Sequence, residues 1–338
     1  VTPGPIDESG ADVRVVSVFR ADPRQVGDTA SAPLRYAAEL GLPWLAAGEV
    51  VDIGGPGIAE RAGDLAGAVV VVGGGGLGFS GFRENLRWIA TQRPRLLVWW
   101  GGGRNTHFGR GIYASEADDF AGLPPSAFDH PAVLDRDHFD LIGARDRDVR
   151  EHAPAGYRWV PCVSALHPAF DEVVPRTDEV RLYSHKDPLH VFDATTPVLT
   201  NATSAKHHVA ARGTRSPVDP AGVPAAGDAR AAVRFIRGAG VLVTNSYHGA
   251  YWAQLAEVPV AVFDEFSTKF RQLPLPVPIV SAEDVRTRRA DVVRAAIRVA
   301  EEHRSERAGL LAAARSANLA FAADVGDLLA ERSVRVTS

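Results

Sequence analysis

The residues from Val241 to Trp252 read Val-Leu-Val-Thr-Asn-Ser-Tyr-His-Gly-Ala-Tyr-Trp and carry the strongest chemical signal in the chain. An apolar β-branched run stops, polar side chains gather at Asn245, Ser246 and Tyr247, and a helical segment opens at His248-Gly249. Backbone N–H groups at such a helix start, together with the helix dipole, favour an anion. Gly249 lacks a Cβ, so a phosphate or carboxylate can come against the backbone there. His248 can donate a proton or a charged hydrogen bond to that anion. A helix-capping turn whose His satisfies a carbonyl gives the same pattern.

Two further segments place polar side chains after strand-like runs. Ser267-Thr268-Lys269 follows the run from Pro259 to Phe263, and Lys269 brings a cation towards the same pocket. Ser184-His185-Lys186-Asp187 follows the run from Val180 to Tyr183. Each also fits a polar turn in solvent. The glycine runs at 73–76 and 101–103 read as loops at strand ends where the backbone approaches a ligand or a neighbouring strand, with Gly74, Gly75, Gly76, Gly102, Gly103 and Asn105 beside a cleft. Neither run has the Lys-Ser/Thr ending of a phosphate-binding loop or a clean Gly-x-Gly-x-x-Gly opening a helix. His107 lies at the same end of the sheet. Lys206-His207-His208 has metal-ligand residue types, yet the spacing is not helical and no carboxylate pair is near, so no metal site is expected. Cys162 is the single cysteine; it excludes an internal disulfide and reads as a small buried hydrophobe.

Taken in order, these segments resemble the polysaccharide pyruvyl transferases. Thr244, Tyr247, His248 and Gly249 match that family's strand end, in which Thr/Ser, Arg, an apolar residue, His and Gly follow one another. Val26-Gly27-Asp28 is similar to its Asn-x-Gly-Asp loop, Val71 to Gly76 with Leu77 to its apolar strand and glycine run, and Trp99 to Asn105 to its next strand end. Ile142-Gly143-Ala144-Arg145-Asp146 resembles its Arg-Asp segment. The likeness spans residues 13–280. It implies two Rossmann-like lobes shaped like a two-lobed (GT-B-like) glycosyltransferase. It implies phosphoenolpyruvate as donor substrate with no cofactor, and a ketal formed on two hydroxyls of a sugar or glycoconjugate. His248 would then act as the acid, Arg145 would share the donor's negative charge, and Asp28 would orient or deprotonate an acceptor hydroxyl. Ser246 stands where the family has arginine, which keeps a hydrogen bond but loses a permanent charge and a bidentate fork. Lys269 and His185-Lys186 are the candidates to compensate.

The elements that must position these residues are legible as alternating strands and helices. Val13 to Phe19 reads as a first strand, followed by a helix capped at Asp28-Thr29 and running through Leu40. Strands follow at Val50 to Ile53, Ala68 to Val72, Leu96 to Trp100, Asp140 to Ala144 and Arg158 to Val163, with an amphipathic helix from Phe82 to Gln92. Near-continuous apolar strands imply parallel sheets buried on both faces, whose ligands collect at the strands' carboxyl ends. In a second lobe, strands are expected at Val180 to Tyr183, Pro197 to Thr200, Gly240 to Thr244 and Pro259 to Phe263. A loop is expected from Ala205 to Gly227, and helices over Asp228 to Arg237 and from about His248 to Ala256. The expected division is a disordered lead-in at 1–12, an acceptor-side lobe at 13–167, a linker at 168–179, a donor-side lobe at 180–280 and packing helices at 281–338.

The 338 residues are 46% hydrophobic and 23% charged, enough for two cores, and the net charge of −4 offers no broad basic face for nucleic acid. No apolar run approaches the ~20 residues that cross a bilayer, and no signal-peptide pattern opens the chain, so a cytoplasmic location is expected. The partners expected are a small-molecule donor and a sugar or glycoconjugate acceptor; the oligomeric state is open, a homo-oligomer included. A glycosyltransferase using a nucleotide sugar and a non-catalytic glycan- or metabolite-binding protein of the same shape are the alternatives.

Overall fold

The computed structural model describes residues 5–6, 13–22, 25–54, 57–107, 138–185, 203–206, 228–263, 265–280, 290–332 and 335–336. The lead-in at 1–12 falls outside them except for the short strand β1 (Pro5–Ile6), which pairs antiparallel with Arg335–Val336 near the other end of the chain.

The first lobe is built from β2 (Val15–Phe19), α1 (Val26–Ala30), α2 (Pro43–Ala46), β3 (Glu49–Asp52), α3 (Ile58–Ala62), β4 (Val69–Gly78), α4 (Arg83–Thr91), β5 (Leu96–Arg104), β6 (Leu141–Ala144), α5 (Arg147–Glu151) and β7 (Tyr157–Trp159). Its six strands lie in the order β3-β2-β4-β5-β6-β7 and every pair is parallel. Val16, Val18, Val70, Val72 and Leu97 feed the core on one face, and Val15, Val69, Val71, Val98 and Trp100 the core on the other. That alternation explains why the strands read as unbroken apolar runs.

The second lobe contains β8 (Val180–Ser184), β9 (Thr203–Lys206), α6 (Ala229–Arg237), β10 (Val241–Thr244), α7 (Tyr247–Leu255), β11 (Val260–Phe263) and β12 (Ile279–Val280). Its five strands are again parallel, in the order β12-β11-β10-β8-β9. Each lobe therefore sends its second strand to one side of the first and its third to the other. The crevice at this reversal of direction is where such sheets receive ligands. α8 (Ala290–Glu302) covers the second sheet through Ala296. α9 (Leu310–Glu331) spans both lobes, with Ala314 in the second lobe's core and Phe321, Val325 and Leu329 in the first's. The last strand, Arg335–Val336, is β13.

Several expected boundaries move, each for a physical reason. The helix expected from Asp28 through Leu40 is cut after Ala30, because Pro33 holds Ala32 extended (ψ 121°) and starts a separate 3-10 turn. The glycine runs are not loops: β4 and β5 continue through them to Gly78 and Arg104, still hydrogen-bonded to each other. The strand expected at Arg158 to Val163 ends at Trp159. Residues 163–166 then form a 3-10 turn, and Cys162 and Ala165 join the second lobe's core. Ala169 and Phe170, expected in a linker, are buried in that same core. Ala205 and Lys206, expected in a loop, belong to β9. The strand expected at Pro197 to Thr200, residues 207–227 and Ser281 to Arg289 lie outside the described residues.

Candidate functional site

β10 delivers the residues around His248 by a tight sequence of local bonds. Thr244 Oγ1 donates to the Tyr183 carbonyl at 2.5 Å and accepts from the Ser246 N–H at 2.9 Å, tying the end of β10 to β8. Ser246 then caps α7, its hydroxyl accepting from the Gly249 N–H at 3.1 Å. Asn245 Oδ1 accepts from the His185 N–H at 2.8 Å, joining the two strand ends. His248 and Tyr247, in the first turn of α7, are thereby aimed at the first lobe.

The first lobe answers with Arg145 at the end of β6. Its guanidinium carbon lies 3.8 Å from the centre of the Tyr247 ring, and the side chain is 1% exposed. Arg145 Nε and Nη1, Asn245 Nδ2 and the Tyr247 hydroxyl are buried and make no hydrogen bond among the described residues. Buried polar atoms are normally paired, and these donors leave hydrogen-bonding capacity that an acceptor-rich molecule could take up. A cleft of about 220 Å³ opens beside them, lined among others by Arg145, His248, Lys269, His185, Asp28 and Arg20. It lies between the carboxyl ends of both sheets.

Charge and burial set the protonation states. Burial, reinforced by the charges of Arg145 and Lys269, holds the His248 imidazole well below the ordinary histidine value. Burial pushes the Asp28 carboxyl above the usual carboxylate range, against the opposing charges of Lys269, Arg145 and Arg20. Cys162, fully buried, sits behind the imidazole with Sγ 3.8 Å from His248 Nε2; burial pushes its thiol up. It packs as the small hydrophobe the sequence suggests, with Ser164 3.1 Å away.

One side of the cleft is closed by a clip between lobes. The Ser267 hydroxyl donates to Asn105 Oδ1 at 2.8 Å, and the Thr268 N–H donates to the Thr106 carbonyl at 3.0 Å. His107 and Ser267 form an antiparallel bridge. Ser267 also caps the 3-10 helix Thr268–Gln272 through the Lys269 N–H, which orients the Lys269 side chain over the Phe266 ring, Nζ to centroid 4.5 Å.

Of the residues singled out in the sequence, His248, Asp28, Arg145, Lys269, His185, Ser246, Tyr247, Gly76, Asn105 and His107 come together as lining of this cleft, whereas Asn245, expected to bind the donor, is not among the lining residues and gives its Oδ1 to the His185 N–H. Four other expected roles change. Gly249 does not admit a ligand: a Cβ there would fall 2.6 Å from Tyr183 Cδ1 and 2.7 Å from Thr244 Oγ1, so its smallness lets α7 sit on β8 and β10. Ser246 spends its hydroxyl on the helix cap. Ser267 holds the lobes together and is not among the lining residues. Gly74, Gly75, Gly102 and Gly103 approach protein in place of ligand. A Cβ on Gly103 would lie 2.4 Å from Arg145 Nε, and one on Gly74 2.3 Å from the Ser31 carbonyl. Lys186, His207 and His208 fall outside the described residues. Arg20, Phe79 and Phe82 line the cleft without having been singled out; Arg20 directly follows β2, whereas a phenylalanine after a glycine run carries no signal of its own.

No protein-family model matches the chain, and no curated protein matches it. Solved structures do. The calicheamicin glycosyltransferase CalG4 is 14% identical and superposes with a TM-score of 0.50 over 95% of this chain and 99% of its own. The fold is the two-lobed GT-B-like arrangement. The glycotransferase of kitacinnamycin (13% identity, TM-score 0.48, 97% and 100% coverage) is also similar. So is the UDP-GlcNAc 2-epimerase of Methanocaldococcus jannaschii (10%, 0.41, 84% and 92%). Among the described residues, no helix is long and apolar enough to cross a membrane.

Proposed function

We propose that this chain is a transferase that holds a small phosphorylated, carboxylated donor between its lobes and passes a group from it to a sugar hydroxyl. In the finer reading the donor is phosphoenolpyruvate and the product a pyruvyl ketal. One observation carries the proposal: Arg145, Lys269 and Tyr247 line one cleft of about 220 Å³, and the buried Arg145 Nε and Nη1 and Tyr247 hydroxyl make no hydrogen bond among the described residues. That volume is below the roughly 300–1,000 Å³ of pockets for drug-sized ligands, and suits a compact, multiply charged molecule. Lys269 supplies the charge lost where Ser246 replaces arginine.

The reaction balances without a co-reactant. Phosphoenolpyruvate gains a proton on its methylene carbon, two acceptor hydroxyls form C–O bonds to its second carbon, and the bond from that carbon to the phosphate oxygen breaks. Of the two hydroxyl protons, one is matched by the new methyl group and one leaves on inorganic phosphate. Asp28, ionised, takes an acceptor proton, and His248 serves the donor side. A donor between Arg145 and Lys269 offsets the two charges that help depress the imidazole, which moves His248 towards the protonated form an acid needs.

A second reading is glycosyl transfer from a nucleotide sugar, favoured by the two-lobed shape shared with CalG4, itself a glycosyltransferase. Thermal unfolding with phosphoenolpyruvate and with nucleoside diphosphates separates the two. A ligand at 100 times its dissociation constant adds ~2.7 kcal/mol to stability. Stabilisation by phosphoenolpyruvate is expected; a response to nucleoside diphosphates alone would transfer the assignment to the second reading.

A further inference from the structure

Phe79 and Phe82 stand on the first-lobe side of the cleft, and nothing in the donor chemistry uses them. Both are half-buried; Phe82 packs against a core of the first lobe, and Phe79 belongs to no apolar core among the described residues, although a part-exposed aromatic ring beside charged groups is costly to maintain. Its position is nevertheless fixed. The Phe79 N–H donates to the Leu77 carbonyl at 2.8 Å and the Phe82 N–H to the Phe79 carbonyl at 3.0 Å, closing a tight turn at the end of β4. Gly81 keeps that turn open for the ring, since a Cβ there would fall 2.5 Å from Phe79 Cε1. The Phe79 ring leans on His107, centroids 4.7 Å apart and planes 34° apart, and meets Phe82 edge to face at 5.5 Å and 78°.

The carboxyl at this corner, Asp28, feels the charges of Lys269, Arg145 and Arg20. Arg145 comes from β6, and Lys269 and His248 come from the second lobe. The turn bearing Phe79 follows β4, next to β2, whose following helix α1 carries Asp28. Arg20 also reaches this side, in ion pairs with Asp52 and Asp22. Phe79 and Phe82 supply the apolar part of a lining that also holds the Asp28 carboxyl. Two rings at 78° do not make the parallel-walled slot that stacks a planar nucleobase. They do seat a puckered ring, apolar on one face and hydroxylated at its edges.

We infer that Phe79 and Phe82 form the wall on which a pyranose acceptor lies, its C–H face against the rings and its hydroxyls turned towards Asp28. The inference rests on the transferase reading above and names the acceptor half of it. The flat Phe79 ring selects a cyclic sugar over an open-chain polyol.

The test is saturation-transfer NMR with methyl β-D-galactopyranoside, methyl α-D-glucopyranoside and the acyclic D-glucitol, on the full chain and on Phe79→Leu and Phe82→Leu. Leucine keeps the apolar volume and removes the flat face, and circular dichroism checks that each variant folds. Phosphoenolpyruvate is titrated in parallel. At least one glycoside is expected to bind with saturation concentrated on the C–H protons of one ring face. Phe79→Leu should weaken it roughly tenfold and leave the donor's affinity unchanged. Equal glycoside binding by Phe79→Leu, D-glucitol binding as well as the glycosides, or no glycoside binding by the unaltered chain would each overturn the inference. Glycoside binding at the rings with no binding of phosphoenolpyruvate would support the wall and remove the donor reading alone.

Discussion

Arg145, at the end of a first-lobe strand, is stacked on Tyr247, in the first turn of a second-lobe helix, with 3.8 Å between guanidinium carbon and ring centre. The contact joins the lobes beside buried donors that make no hydrogen bond among the described residues, so a structural role and the proposed binding role fall on one side chain.

The two roles separate in Arg145→Met. Methionine keeps an apolar stem against Tyr247 while removing a buried charge whose Nε and Nη1 make no hydrogen bond among the described residues. Replacing a poorly paired buried charge by an apolar group is neutral or stabilising by about 1–4 kcal/mol. Loss of charged hydrogen bonds to a donor costs about 1.5–3 kcal/mol, roughly 10- to 100-fold in affinity. Urea unfolding should therefore show an unchanged or higher midpoint, while titration with phosphoenolpyruvate shows the loss. A large drop in stability with donor affinity intact would mean that Arg145 is only a structural strut.

His248 makes stability depend on pH in a defined direction. Its folded-state pKa is depressed, chiefly by burial, so the unfolded chain takes up a proton below about 6.5 that the folded chain refuses. Above that value the group contributes nothing to the pH dependence. Below it, stability falls with pH by up to about 1.4 kcal/mol per unit until the folded state also protonates. His248→Asn should flatten this part of the profile in urea midpoints taken from pH 8 down to pH 5. An unchanged slope would place the imidazole in contact with water.

Asp28 behaves in the opposite sense. Burial raises its folded-state pKa, so the folded chain holds a proton that the unfolded chain has lost, and the associated stability disappears as pH rises through the raised value. Asp28→Asn stays neutral throughout. It should unfold at a higher urea concentration than the unaltered chain at pH 7 and have no turnover. The unaltered chain should lose turnover as pH falls through the raised carboxyl value, which protonates the base. Retained turnover in Asp28→Asn would remove Asp28 from the chemistry.

Much of this arrangement is readable from residue types, and the failures share a cause. Runs such as Val69 to Val72 and Val241 to Val243 declare buried parallel strands because both faces are apolar, and His248 follows from its place at a strand end. The continuation of β4 and β5 through glycine is not readable, since a residue without a side chain gives no alternation to follow. The same silence hides Phe79, whose turn is defined by Gly78 and Gly81 around it. Ser246 and Ser267 look like ligand-binding hydroxyls because capping and inter-lobe bonds depend on partners that only the folded chain brings near. The early end of α1 was available in Pro33 and is a matter of proline stereochemistry alone.

The glycines give the most local test of how α7 is seated. Gly249 lies in the first turn of α7, where alanine has the better helix propensity. Yet a Cβ there would sit 2.6 Å from a Tyr183 ring carbon and 2.7 Å from Thr244 Oγ1, and Tyr183 is fully buried between neighbours. Neither atom can yield cheaply: Thr244 Oγ1 is held by the Tyr183 carbonyl and the Ser246 N–H. Overpacking of this kind costs about 1–3 kcal/mol. Gly326, inside α9, is the control, because a Cβ there meets nothing within 4 Å. Gly326→Ala should stabilise by about 0.4–1 kcal/mol, by restricting the unfolded chain and improving the helix. Urea unfolding of both variants should thus give shifts of opposite sign. In Gly249→Ala the displaced helix should also carry His248 away from Arg145 and Lys269, so turnover should fall further than the loss of folded protein accounts for. Two shifts of the same stabilising sign would show that α7 has room against β8 and β10, and that Gly249 is free to face a ligand after all.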